Sequence, residues 1–221
     1  MKKLVKGILE FRRNCLLDYR ERFAHLKAGQ SPDSLFIGCS DSRVMPNVFA
    51  STNPGDLFVI RNVGNLVPPH SEYIRNYSVP AAIEFSLTQL PTNDIIVCGH
   101  SECGAMRAAL AGIEKVETEN LKAWLGNIHC PKKSEMAIYD KVVSDSSLSP
   151  DNRLSQINVL RQIEHLKTYP IIQEKMKTQG LEIHGWYFDI ATGDVYAFDK
   201  EVGRFVLIDE EEGGKILAAL E

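Results

Sequence analysis

The segment Ser34-Leu35-Phe36-Ile37-Gly38-Cys39-Ser40-Asp41-Ser42-Arg43 decides how the chain is read. It opens as a short apolar run and ends in polar, chemically active side chains, the pattern of a buried strand that delivers functional groups at its C-terminal end. Two more runs read the same way, Asp56 to Asn62 and Asn93 to His100. Helical spacing lies between and after them: Ile74 to Leu90, whose start Pro80 is able to shift, and a helix from about Cys103 to Ile113. Strand, crossover and strand in this order predict an α/β fold with a mostly parallel central sheet flanked by helices, because parallel neighbours need long right-handed connections. Sites in such sheets lie at strand C-termini.

Working outward, apolar residues from Leu4 to Leu26 recur at helical spacing between Lys2 and Lys27 and predict one long amphipathic N-terminal helix, an arm over residues 1–28. Glu119 to Ser144 reads as a polar helix, and Asp151 to Gln179 as a longer helical stretch kinked or broken at Pro170. Past Gly180, the segments Leu181 to Ile190, Val195 to Asp199 and Arg204 to Ile208 read as strands with turns at Thr192-Gly193 and around Gly203, an antiparallel C-terminal addition. The 221 residues fit one domain, 1–221, with the arm inside it and no linker required.

Composition excludes several classes of protein. With 44% hydrophobic and 24% charged residues the chain has the balance of a soluble globular protein and not of a disordered one. Basic residues between Phe11 and Lys27 are interleaved with acids, which predicts a solvated helix face and no nucleic-acid partner. No window approaches the roughly 18 apolar residues of a membrane span. Lys6, Glu10, Arg12 and Arg13 interrupt any apolar leader, so a cytoplasmic location is expected. Five cysteines, an odd number, fit a reducing compartment with metal-binding thiolates better than a disulfide framework.

The chemistry concentrates in two segments. If the chain stays extended past Cys39, strand alternation sends Cys39, Asp41 and Arg43 to one face. The second segment, Cys98-Gly99-His100-Ser101-Glu102-Cys103-Gly104, ends another strand and opens into a helix whose N-terminus favours a Cys103 thiolate. Cys39, His100 and Cys103 are three soft or borderline ligands suited to zinc, leaving a fourth tetrahedral position for water, which points to catalysis. Zinc lowers the pKa of bound water from 15.7 toward about 7. Two thiolates cancel the dication's formal charge, so a further group must orient the hydroxide. Asp41 can accept its hydrogen bond while Arg43 holds the carboxylate ionised. Asp41 could also swing in as a fourth ligand and close the site. Cys98 is expected to point away from the metal as a core residue, with Cys15 and Cys130 in packing or surface roles. Single Cys or His residues are more often structural than ligating, so the weight rests on the two segments together.

Cys39-Ser40-Asp41-Ser42-Arg43, Arg61-Asn62-Val63-Gly64-Asn65 and Gly99-His100-Ser101-Glu102-Cys103-Gly104 together resemble the β-class carbonic anhydrases. The likeness runs from the N-terminal helix through Ala81-Ala82-Ile83-Glu84-Phe85 to His184-Gly185-Trp186. It implies a lyase that hydrates carbon dioxide reversibly to bicarbonate and a proton, with one zinc ion per chain on Cys39, His100 and Cys103 and an Asp41–Arg43 dyad orienting the hydroxide. It also implies an apolar substrate pocket including Phe58, Val63 and Phe85, with Gln30 hydrogen-bonding bound substrate, and a homodimer or homotetramer in which the arm embraces a neighbour. Phe36 stands where the bicarbonate-inhibited branch has tryptophan, which favours the plant-like, constitutively open branch. Tyr77-Ser78-Val79-Pro80 departs from the glycines common in relatives. Two alternatives remain at this stage: carbon disulfide or carbonyl sulfide hydrolysis on the same scaffold, and a zinc protein without turnover.

Overall fold

A computed structural model describes residues 1–71, 77–128, 140–143 and 145–220 of the chain. Its centre is a six-stranded sheet in the order β2-β1-β3-β4-β5-β6. In chain order these are β1 Ser34–Cys39, β2 Leu57–Asn62, β3 Asp94–His100, β4 Glu182–Phe188, β5 Val195–Asp199 and β6 Arg204–Leu207. The helices among the described residues are α1 Lys2–Asn14, α2 Leu16–Leu26, α3 Pro46–Phe49, α4 Ser78–Gln89, α5 Gly104–Ala111, α6 Glu119–Leu125, α7 Asp140–Val143, α8 Pro150–Leu166, α9 Pro170–Thr178 and α10 Glu210–Leu220. The first four strands pair in parallel, while β5 and β6 extend the β4 edge antiparallel. The α/β architecture and the C-terminal addition are those the sequence pattern predicts. Because β1 has β2 on one side and β3 on the other, the sheet's direction of growth reverses there. The crevice beyond the carboxyl ends of β1 and β3 is therefore the topological switch point, where such folds place their ligands.

The period of two along each strand sorts the core. Leu35, Ile37, Ile95, Val97, Ile183 and Tyr187 belong to one buried cluster, and Phe36, Ile96, Cys98 and Phe188 to another. The first is covered by α4 through Val79, Ile83 and Leu87 and by α8 through Ile157, Val159, Leu160 and Ile163. The second is closed by Val44 and Phe49. α8 lies against β3 and β4 where both carry glycine. A Cβ on Gly99 would fall 2.7 Å from Val159 Cγ2 and 3.2 Å from the Ser155 carbonyl oxygen, and one on Gly185 would fall 3.1 Å from Val159 Cγ1.

The structure refines the pattern reading at several elements and bears it out at Pro170. The arm is two helices, broken at Cys15 (φ −120°, ψ −30°), where the Phe11 and Tyr19 rings come within 6.0 Å. Residues eight apart in an unbroken helix stand about 12 Å apart along its axis, so the break is what lets these rings meet. α4 begins at Ser78, which puts Pro80 in the first turn, where its missing N–H costs no hydrogen bond. Ile74 and most of 129–144 lie outside the described residues, as does Cys130. The Asp151–Gln179 stretch breaks before Pro170 into α8 and α9. α10 has no counterpart in the strand-and-turn reading of the C-terminus. Its signals were Asp209, whose carboxylate accepts the Glu212 N–H at 2.9 Å, and the acidic first turn Glu210 to Glu212. Among the described residues no helix is long and apolar enough to cross a membrane.

Substituting Gly99→Ala forces α8 off the sheet. It is expected to cost about 1–3 kcal/mol, the range for overpacking a tight core contact. The measurement is urea unfolding, where the midpoint falls and the slope is unchanged.

Candidate metal centre

β1 ends at Cys39 and β3 at His100, side by side at the switch point, and Cys103 is the N-cap residue of α5. The ligating atoms of Cys39, His100 and Cys103 all lie within 4.8 Å of one another, and all three residues are buried. Bond lengths of about 2.0–2.3 Å to one tetrahedral zinc give ligand separations somewhat below that limit, so the cradle is of the right size. Protonation fits as well. His100 Nδ1 lies 2.8 Å from the Ser101 carbonyl, which can only accept, so Nδ1 carries the hydrogen and Nε2 presents its lone pair. Nε2 is buried without a hydrogen-bond partner, an orphan that a cation would satisfy.

The sulfurs are prepared electrostatically. Cys39 is lowered from 9.0 to about 4, chiefly by the Cys103 thiol beside it, with the His100 ring and then the amides of Gly64 and Asp41 adding to the effect against burial. Those amides stand 3.4 Å from Cys39 Sγ. Cys103 is correspondingly raised, because it keeps the proton shared with Cys39 and is itself buried. Of the two, Cys39 is the one held toward the thiolate and Cys103 the one held toward the thiol. Cys98, on the opposite face in the cluster with Phe36, is pushed up by burial and takes no part.

Asp41 and Arg43 do meet, though not by strand alternation. The strand ends at Cys39, and a turn closed by Val44 N–H to Asp41 O at 3.0 Å follows. Asp41 Oδ1 caps that turn by accepting the Arg43 N–H at 3.0 Å, which folds the Arg43 side chain back. The guanidinium then grips the carboxylate bidentately, Nε to Oδ1 at 2.9 Å and Nη2 to Oδ2 at 2.7 Å. This grip, more than any other influence, holds the Asp41 carboxyl well below the usual carboxylate range. Arg43 Nη2 also reaches the Glu102 carbonyl at 3.3 Å, joining the dyad to the His100–Cys103 loop. Glu102 itself has a positive φ of 58°, rare for a non-glycine residue.

Arg61 was quoted above only as part of a motif, yet it clamps the ligand loop. Its Nε donates to the Cys39 carbonyl at 3.0 Å and its Nη2 to the Asp41 carbonyl at 2.7 Å. In the sequence its mark is an arginine near the end of a half-buried strand, three residues before Gly64. Of the expected pocket residues, Val63 adjoins the cradle: it precedes Gly64, and its carbonyl accepts from Trp124 Nε1 at 2.7 Å. Phe58 and Phe85 stack on each other at 5.7 Å, but Phe58 pairs in register with Leu35, four residues back along β1 from Cys39, or roughly 13 Å at the strand rise. Gln30 is exposed and precedes β1, at the opposite end from Cys39. Within one chain the structure does not bring Gln30, Phe58 and Phe85 to the cradle.

Fold and site together define a class, a doubly flanked α/β protein with a two-cysteine, one-histidine cradle at the sheet's switch point. The carbonic anhydrase family model matches residues 34–195. The carbonic anhydrase of Synechocystis sp. is 36% identical over 211 residues, covering 93% of this chain and 74% of the relative. That of Helicobacter pylori strain J99 is 34% identical, covering 92% and 93%. Among solved structures, the β-carbonic anhydrase CcaA superposes with a TM-score of 0.80 at 35% identity, covering 97% of this chain and 96% of the other. The chain belongs to the β-class carbonic anhydrases, a family of lyases.

Replacing Cys39→Ala is expected to abolish stoichiometric zinc, read by elemental analysis of the folded protein. Zinc uptake by the metal-free wild type at mildly acidic pH, below the range in which zinc-bound water ionises, should release about one proton per chain, chiefly from Cys103, since Cys39 is already held low. Calorimetry in buffers of differing ionisation enthalpy counts it.

Proposed function

We propose that the chain catalyses the reversible hydration of carbon dioxide to bicarbonate and a proton, using one zinc ion held by Cys39, His100 and Cys103. The observation that carries this is the convergence of those three ligand atoms within 4.8 Å at the switch point, beside an Asp–Arg pair that a mere metal anchor does not need. When bound there, zinc would act as a Lewis acid that makes hydroxide available from water near neutrality.

The chain's own residues supply the rest. Asp41 Oδ1 is taken up by the Arg43 N–H and Nε, but Oδ2 accepts only from Arg43 Nη2 and retains a lone-pair site, so the carboxylate can accept a hydrogen bond from the attacking oxygen and orient it toward carbon dioxide. Arg43 keeps that acceptor ionised throughout the working pH range. The Glu102 carbonyl, which accepts from Arg43, and the Arg61 guanidinium, which donates to the Asp41 carbonyl, fix where Arg43 and Asp41 stand. The proton released leaves to solvent and buffer.

The open, plant-like branch is supported by two features. Both oxygens of Asp41 are turned to Arg43, and Phe36 occupies the position three before Cys39. Assembly as a homodimer or homotetramer is supported by Leu4, Val5, Ile8 and Leu9, exposed on a helix none of whose residues is buried, and by exposed Phe85 and Val63. One structural relative, from Sordaria macrospora, is titled a tetrameric β-carbonic anhydrase, and it superposes with a TM-score of 0.69 at 30% identity, covering 89% of this chain and 92% of its own. In an assembly, Gln30, Phe58 and Phe85 would serve a neighbouring chain's site. A cytoplasmic setting accords with the free thiols of Cys39 and Cys103, which metal binding requires in reduced form.

Stopped-flow hydration of carbon dioxide by the zinc-loaded protein tests the reading, with rapid turnover persisting at neutral pH as the expected result. Asp41→Ala should keep its zinc and lose activity on the order of 10²-fold. Full activity in that variant would remove the dyad from the mechanism, and no turnover in the wild type at any pH would overturn the assignment.

A further inference from the structure

α8 covers the sheet with apolar side chains, yet Asn152, Ser155, Asn158, Gln162 and His165 follow one another along it at steps of three or four residues. That spacing gathers them into one stripe. The last four are buried. Their polar atoms are spent on the backbone of two loops. Asn152 Oδ1 accepts the Glu102 N–H at 2.7 Å. The Ser155 hydroxyl accepts the His100 N–H at 3.2 Å and donates to the His100 carbonyl at 2.9 Å. Asn158 Nδ2 donates to the Gly64 carbonyl at 3.0 Å, and Gln162 Nε2 holds Asn158 by donating to its Oδ1 at 2.9 Å. Gln162 Oε1 accepts the Val67 N–H at 2.8 Å, and His165 Nδ1 donates to the Val67 carbonyl at 2.7 Å.

These two loops are the ones that carry the cradle. Residues 100–102 join His100 to Cys103. Gly64, whose carbonyl Asn158 holds, points its own N–H at Cys39 Sγ. A helix that had only to bury a sheet would do so with apolar side chains, because burying amides and a hydroxyl costs desolvation that hydrogen bonds only offset. Here what those bonds return is the relative placement of two loops distant in sequence.

We propose that the polar stripe of α8 is a positioning device for the metal: it sets the separation of the Gly64 and His100–Glu102 backbones at which Cys39, His100 and Cys103 meet one ion, although no residue of α8 binds that ion. Asn158 is the central positioning residue, since of the bonds just described its own is the one made to Gly64 itself, the residue whose N–H faces Cys39. This rests on the zinc reading above.

The test uses the full chain loaded with zinc, and with cobalt for spectroscopy. Zinc affinity is measured by competition with a chromophoric chelator. Loss of a group that supports metal ligands commonly weakens binding 10–100-fold, and Asn158→Ala is expected to fall in that range. Its cobalt form should show a shifted sulfur-to-metal absorption band. Ile163→Ala is the control, because Ile163 is equally part of the α8 core but packs on Gly185 of β4. It should lower thermal stability at least as much while leaving zinc affinity and the cobalt spectrum unchanged. If Asn158→Ala does not fold, Gln162→Met, one step further from the ion, should still weaken zinc several-fold. Wild-type affinity in a folded stripe variant, or an equal loss in Ile163→Ala, would overturn the proposal while leaving the zinc reading intact. A wild type that takes up no zinc would overturn both.

Discussion

Everything at the site depends on the register in which β1 pairs with β3. Ser34 lies opposite Asp94 and Gly38 opposite Cys98, so the ends of the two strands arrive together and their last residues, Cys39 and His100, flank one crevice. The register is fixed by the core. A slip of one residue would exchange the faces, sending Leu35 and Ile37 out of their cluster and turning the Cys39 sulfur to the face that holds Cys98 and Phe188. The close seating of α8 is the second half of this constraint, because Gly99, one residue before the histidine, is where that helix touches β3.

Around that register the protein balances charge by small groups. Two sulfurs share a proton, two amides face one of them, and a first helical turn faces the other, where the amides of Ala105 and Met106 favour the Cys103 thiolate. The Arg61 guanidinium is directed at the Cys39 and Asp41 carbonyls, and that of Arg43 at the Asp41 carboxylate and the Glu102 carbonyl, and not at the ligand sulfurs. The cradle therefore keeps its negative character for a cation, while the neighbouring carboxylate is neutralised in place.

The parts legible in the sequence were those that local chemistry decides. Strand ends were marked by apolar runs that stop at polar residues, and the ligand triad was marked by residue types rare enough in combination to outweigh a structural reading. The Asp41–Arg43 pair was legible as a pair but not in its cause, since an Asx-type turn and not strand alternation brings the groups together. The break at Cys15 was not legible because periodicity runs through it unaltered, and the Phe11–Tyr19 contact that it permits joins side chains too far apart for any local pairing rule. Gln30, Phe58 and Phe85 were named from resemblance alone, because no local rule says where a side chain stands relative to a crevice built from distant strands, and within one chain they stand away from the cradle. The asparagines and glutamine of α8 look, in sequence, like any solvated helix face. Their burial is a product of tertiary packing alone.

The arm carries a thermodynamic consequence. Helix α1 is 13 residues long with no buried residue, and its apolar side chains face outward. Helices of that length are marginal in water unless something covers them. Whatever order the arm has in solution is then coupled by mass action to the surface that covers it. Helical content in this protein should accordingly rise and fall with its concentration, even at temperatures where the sheet is fully folded.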